Sequence, residues 1–121
     1  MKVIIADDSQ TMQIILRNML TSIGPCDCLT ADGGDVVMEL LEVHSDVGLV
    51  LLDWNMPVMN GLECLRAIRA REATARLPVV MVSSEVMRDR VVEALHAGAS
   101  NYLIKPFDAE KFKTVVSAVL K

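Results

Sequence analysis

At 121 residues the chain is long enough for one ordinary domain and too short for two. Apolar residues make up 52% and charged residues 23%, a balance that buries a core and excludes a disordered chain. A net charge of -4 with no run of Lys or Arg argues against nucleic-acid binding as the main role, and no apolar stretch reaches the length of a membrane span.

Strand-like and helix-like runs alternate from end to end. The first strand is Val3-Ile4-Ile5-Ala6; it stops at Asp7, too soon for a signal-peptide core, so the chain is expected to be cytoplasmic. Ser9 can cap a helix running to about Ser22, with Met12, Ile15, Leu16, Met19, Leu20 and Ile23 at three- and four-residue spacing. Gly24-Pro25 ends it. The second strand is expected from about Cys26 to Ala31, and Asp32-Gly33-Gly34 reads as a turn. Val36, Val37, Leu40, Leu41 and Val43 mark the second helix, Val47 to Leu52 the third strand. A loop from Pro57 to Gly61 precedes a third helix marked by Leu62, Leu65 and Ile68. The fourth strand is Val79 to Val82. A fourth helix is predicted from about Val86 to Ala97, closed by Gly98. The fifth strand is about Asn101 to Ile104, and Asp108 caps a fifth helix with Phe112, Val115, Val116 and Val119 inward.

Five βα units spanning residues 1–121 without a linker predict a single α/β domain. The expected fold is flavodoxin-like: a doubly wound parallel sheet, helices on both faces, strand order 2-1-3-4-5. Strands of a parallel sheet end at one edge, and ligands bind there. Asp7, Asp8, Asp53, Ser83 and Lys105 each follow a buried apolar run, so three carboxylates, a hydroxyl and an ammonium converge on one rim. Like charges this close repel unless a cation sits among them. Oxygen donors without His or Cys suit Mg²⁺, or Mn²⁺, with positions left for water and a phosphoryl oxygen. An Asp can act as nucleophile and form an aspartyl phosphate. Lys105 and the metal can neutralise the transferring group, and the Ser83 hydroxyl can hydrogen-bond one of its oxygens.

Asp7-Asp8, Asp53-Trp54-Asn55-Met56-Pro57, Met59-Asn60-Gly61-Leu62, Ser83, Gly98-Ala99 and Tyr102 to Phe107 occur in an order and separation that resemble the receiver domains of bacterial two-component response regulators. The similarity spans essentially the whole chain and is greatest to the single-domain chemotaxis type. The resemblance implies that Asp53 is the phosphate acceptor, served by a sensor histidine kinase. It implies that Asp8, Asp53 and the Asn55 backbone carbonyl ligate Mg²⁺, with Asp7 holding it through water. Ser83 and Tyr102 are the implied switch pair, Lys105 the phosphoryl contact, and the Lys105–Pro106 bond is expected cis. Phosphate on Asp53 is expected to draw Ser83 towards it and let Tyr102 turn inward. That shifts the face of the fourth helix, fifth strand and fifth helix toward an output partner. A flagellar motor switch protein is the candidate partner, and a phosphatase a further one. No output domain is expected after Lys121, so output is expected through a protein contact. The family pattern has Ala or Gly where Ser84 stands and Asp where Asn60 stands. Asn55 and Glu85 flank the approach of water.

Plainer readings stand beside these. Asp7-Asp8 alone suits a solvated turn at a helix N-terminus, and Tyr102 a static core position. His44 and His96 are expected on helix surfaces without partners, and Met56 and Met59 in an exposed loop. Cys26, Cys28 and Cys64 read as reduced thiols used as small hydrophobes, Cys26 and Cys28 on opposite faces of the second strand. The alternatives to a stand-alone switch are a phosphorelay shuttle or a receiver cut from a larger regulator. An Asp-nucleophile phosphatase would want an acid where Asn55 stands, and a flavodoxin-like FMN binder would want hydroxyls where Asp7-Asp8 stand.

Overall fold

The structure, a computed structural model, describes residues 1–120. Five strands, β1 (Lys2–Ala6), β2 (Asp27–Ala31), β3 (Val47–Leu52), β4 (Val79–Ser83) and β5 (Asn101–Ile104), alternate with five helices. The helices are α1 (Gln10–Ile23), α2 (Gly34–Val43), α3 (Gly61–Ala70), α4 (Arg88–His96) and α5 (Ala109–Val119). All strand pairs are parallel and the order is β2-β1-β3-β4-β5, a flavodoxin-like doubly wound sheet as expected.

Alternation along each strand splits the core in two. Ile4, Ala6, Val50, Leu52, Val79 and Met81 pack with Val37, Leu65, Ile68 and Ala94 of α2, α3 and α4. Val3, Ile5, Leu49, Leu51, Val80 and Val82 pack with Leu16, Leu20, Phe112 and Val116 of α1 and α5. The central strands therefore lack polar alternation, because both of their faces are covered. Each such side chain contributes about 1.5–3 kcal/mol through burial. The edge strands β2 and β5 are thinner cover, and Ile104 stays exposed.

Caps fix the helix starts. Ser9 Oγ accepts the Met12 amide at 3.2 Å, and Asp108 Oδ1 accepts that of Lys111 at 2.7 Å. Each such cap contributes about 1 kcal/mol. Asn60, where the family pattern has Asp, closes a reciprocal capping box with Glu63 and so starts α3.

Several boundaries differ from expectation. Gly34 and Gly61 belong to helices rather than turns. A Cβ on Gly34 would lie 2.8 Å from the Met59 carbonyl oxygen, so only glycine lets α2 begin that close to the β3–α3 loop. The α4 helix starts at Arg88, not Val86, because Ser84 to Met87 form a loop whose last residue offers no capping side chain. A short 3₁₀ turn at Glu72–Thr74 had no sequence signal. Val43, Ile15 and Ile23 are exposed, while Met56 is buried and Met59 packs against the core, because the β3–α3 loop folds back over α2. His44 caps the C-terminus of α2 and its Nδ1 lies 3.2 Å from Lys2 Nζ. Cys26 lies before β2, and its Sγ is 3.4 Å from that of Cys28: residues two apart on an extended chain share a face, which overturns the opposite-face expectation. No described helix is long and apolar enough to cross a membrane.

The Lys105–Pro106 peptide is cis. Val58 has φ 68° and the Met59 amide bonds the Pro57 carbonyl across it at 2.8 Å, a γ-turn of the strained kind. A β-branched residue there costs roughly 1–2 kcal/mol, and glycine would add about 0.5–1 kcal/mol of unfolded-state entropy. Val58 touches little, being exposed. Val58→Gly is therefore expected to raise the urea midpoint at constant m-value, a gain in unfolding free energy of up to about 1 kcal/mol. A midpoint lower than wild type would show that the turn is unstrained.

Candidate functional site

The rim residues are held by hydrogen bonds that carry the sheet ladder one step past its strands. The Asp7 amide donates to Ala31 O at 3.0 Å, that of Asp53 to Ala6 O at 2.9 Å, and that of Lys105 to Ser83 O at 2.9 Å. The backbone is thus pinned where each strand ends, and Asp7, Asp53 and Ser83 are buried. Asp8 is exposed.

One carboxylate oxygen each from Asp7, Asp8 and Asp53 lies within 4.8 Å of the others. Lys105 Nζ sits 2.8 Å from Asp7 Oδ2 and 3.5 Å from Asp53 Oδ2, and is the one cation paired with these acids among the described residues. Asp7 is further engaged through Oδ1, which accepts the Ser9 amide at 2.9 Å, while Asp53 Oδ1 accepts that of Trp54 at 2.8 Å. Three carboxylates against one ammonium leave excess negative charge. Burial raises the Asp53 pKa above its ordinary value and the Asp7 charge adds to that, while Lys105 and the Trp54 N–H pull the other way. The donor set is hard oxygen without thiol or imidazole, which fits Mg²⁺ or Mn²⁺.

Ser83 Oγ accepts the Glu85 amide at 3.1 Å, and the Tyr102 hydroxyl donates to the Glu85 carbonyl at 2.9 Å. Glu85 therefore bridges the two sequence-predicted switch residues. The half-buried Tyr102 already contacts the β4–α4 loop, so that contact needs no inward turn. Burial raises its phenol pKa. Asn55 is exposed beside the cluster, and Ser84 is exposed next to Ser83.

Three contacts with the site escaped the sequence reading, the third at a glycine that the sequence places only in a loop motif. Gln13 Nε2 donates to the Asp7 carbonyl at 2.7 Å, bracing the β1–α1 turn. The Arg90 guanidinium lies 5.6 Å from the centre of the buried Trp54 ring, joining α4 to the residue after Asp53. A Cβ on Gly61 would meet the Asp53 carbonyl oxygen at 2.1 Å, so glycine alone permits α3 to start against the strand end. The first two depend on side chains meeting across elements, for which no local pattern exists. The third follows a Met-Asn-Gly turn signal whose tertiary partner is invisible in the sequence.

A pH signature follows from the Asp53 shift. A raised folded-state pKa makes the fold hold a proton that the unfolded chain releases. The stability it contributes is complete below the unfolded pKa and is lost as pH rises through the folded one. Asp53→Asn removes that loss. It is expected to be more stable than wild type at pH 7 by on the order of 1 kcal/mol, an advantage that fades below about pH 4 in metal-free urea titrations. Lower stability of Asp53→Asn at pH 7 would show that pairing with Lys105 outweighs the cost of burial.

Comparison with known proteins identifies the family and supports the fold. The profile of the response regulator receiver domain matches residues 3–117. The chain is 41% identical, over 99% of its length and 92% of the relative's, to a chemotaxis protein CheY homolog of Campylobacter jejuni. It is 39% identical, over 100% of its length and 97% of the relative's, to the chemotaxis protein CheY of Pseudomonas aeruginosa. The solved structure of Vibrio cholerae chemotaxis protein CheY4 superposes with a TM-score of 0.89 at 28% identity, covering 98% of each chain. Proteins of this type are signalling proteins rather than conventional enzymes. The chain therefore belongs to the response regulator receiver domain family and resembles its chemotaxis members.

Proposed function

We propose that residues 1–121 act as one phosphorylation-controlled switch, with Asp53 accepting a phosphoryl group from a histidine kinase. The observation that carries this reading is the Asp53 carboxylate, buried at the end of β3, with Asp7 and Asp8 oxygens within 4.8 Å and Lys105 Nζ at 3.5 Å. An Asp53 oxygen attacks the phosphorus of the kinase phosphohistidine, the P–N bond breaks, and the imidazole leaves with its electron pair. Water later attacks the same phosphorus, the bond to Asp53 breaks, and inorganic phosphate departs. The chain thus catalyses only its own phosphorylation and hydrolysis.

Asp8, Asp53 and the Asn55 backbone carbonyl would hold Mg²⁺, with Asp7 doing so through water, and the ion would supply neutralisation of charge on the transferring group. Lys105 adds a second positive charge there, leaving its pairing with Asp53 for the phosphoryl oxygens. The Ser83 hydroxyl donates to one of those oxygens. A hydroxyl donates and accepts at once, so as Ser83 moves towards the phosphoryl group the Glu85 amide it accepts from transmits that movement to the loop that anchors Tyr102 and precedes α4. The exposed Val92, Leu95 and Ile104 make the α4-β5-α5 face an apolar surface suited to an output protein, with a motor switch protein the candidate. A phosphatase would meet the rim at Asn55 and Glu85.

Treatment with acetyl phosphate and Mg²⁺, followed by reductive trapping and peptide mapping, is expected to place one label on Asp53. Asp53→Asn is expected to take none, and Asp8→Ala to label on the order of tenfold more slowly or worse. Labelling of Asp53→Asn at the wild-type level would reject the acceptor assignment.

Ser83→Ala tests the switch apart from the chemistry. It keeps Asp53 and Lys105 but leaves the Glu85 amide without its partner, at about 1 kcal/mol of stability. It is expected to take up phosphate while its α4, β5 and α5 amide resonances move less than those of wild type. Equal shifts in the two proteins would place the switch elsewhere.

A further inference from the structure

Cys26 and Cys28 form a thiol pair at the opposite end of β2 from the acid rim. Their sulfurs are 3.4 Å apart, and both residues are half-buried and so reachable from solvent. β2 is an edge strand. Cys28 is paired in register with Val3, whereas Cys26 precedes the first ladder residue, Asp27, and follows Gly24-Pro25. Cys64 differs in every respect: it is fully buried, its thiol lies 3.6 Å from the Gly34 carbonyl, and burial pushes its pKa up to about 12. Both also pack against the core beside α1 and α5, but two thiols already in contact, one of them outside the ladder, form a dithiol site as well as two small apolar residues.

We propose that Cys26 and Cys28 are an oxidation site that closes to an intrachain disulfide on reaction with a peroxide. The Cys26 thiolate attacks one peroxide oxygen, the O–O bond breaks, and the other oxygen leaves and takes up a proton as water. Cys26 is then a sulfenic acid. The Cys28 sulfur attacks Cys26 Sγ, the S–O bond breaks, and hydroxide leaves with the Cys28 proton as a second water. Two thiols lose two electrons and one peroxide gains them. Burial, reinforced by the neighbouring Cys26, pushes the Cys28 pKa up to about 11, so Cys28 keeps its proton until the second step. Bond formation needs the sulfurs to approach by about 1.4 Å. Closure also needs the two Cβ atoms about 3.8 Å apart, so the backbone at Cys26, which precedes the ladder, must turn towards Cys28 as the bond forms. The rim meets β2 at Ala31, whose carbonyl accepts the Asp7 amide, three registered pairs beyond Cys28 on the ladder.

The full chain is treated with stoichiometric hydrogen peroxide, denatured, alkylated and weighed intact. Wild type is expected to lose about 2 Da before alkylation, two hydrogens, and to take one alkyl group on Cys64 instead of three. Dithiothreitol restores all three sites. Cys28→Ser is expected to show no 2 Da loss and to give a dimedone adduct on Cys26. Labelling of Asp53 by acetyl phosphate is expected to be unchanged in oxidised wild type, so a failure of either reading is visible without the other. The proposal is overturned if wild type keeps three alkylatable thiols, if the oxidised product is a dimer linked between chains, or if Cys28→Ser loses thiols as wild type does without forming the adduct.

Discussion

Lys105 is placed between Asp7 and Asp53, and the charge balance of the whole rim turns on it. Two buried carboxylates in one small space are unfavourable as neighbours in a medium of low dielectric. The ammonium relieves part of that cost, yet a third carboxylate at Asp8 leaves the site acidic and receptive to a divalent cation. The sheet makes this pairing possible. Asp7 and Lys105 are far apart in sequence and lie at the ends of β1 and β5, which are brought to one edge only because every strand runs the same way. The helix caps, the covered central strands and the two-sided core all serve to hold that edge rigid.

Rigidity at the strand ends contrasts with the loops leaving them. The β3–α3 loop is compact because Gly61 lets α3 start against the Asp53 carbonyl, and it contains a positive φ at Val58. The β4–α4 loop is held by few bonds: Ser83 to Glu85, Glu85 to Tyr102, and the Glu85 carboxylate to the Met87 amide. A site that changes charge at its centre acts most readily on its least constrained neighbour. In this chain that neighbour is the segment before α4. Glu85 is its hub, and the Arg90–Trp54 contact is a second tie between α4 and the strand end. Two routes thus join the proposed acceptor to one face of the molecule.

The sequence alone determined the architecture. Strands covered on both faces must be continuous apolar runs and helices covered on one face must repeat at 3.6 residues, so element type, order and the position of the rim could all be read directly. Asp7, Asp8, Asp53, Ser83 and Lys105 could be placed at the rim because each interrupts or follows such a run, but on their own Ser83 and Lys105 read as an ordinary loop hydroxyl and turn residue, and the family resemblance singled them out. Tertiary structure alone decided the rest. That Tyr102 meets the Glu85 carbonyl, that Gln13 braces Asp7, that Arg90 covers Trp54 and that Cys26 touches Cys28 depend on side-chain directions and on loops such as Ser84 to Met87. So does the burial of Met56 in a segment that reads as open loop. Periodicity says which side of an element faces inward, but it carries no record of which side chain from another element waits there. Those meetings are set by the packing of whole elements against one another.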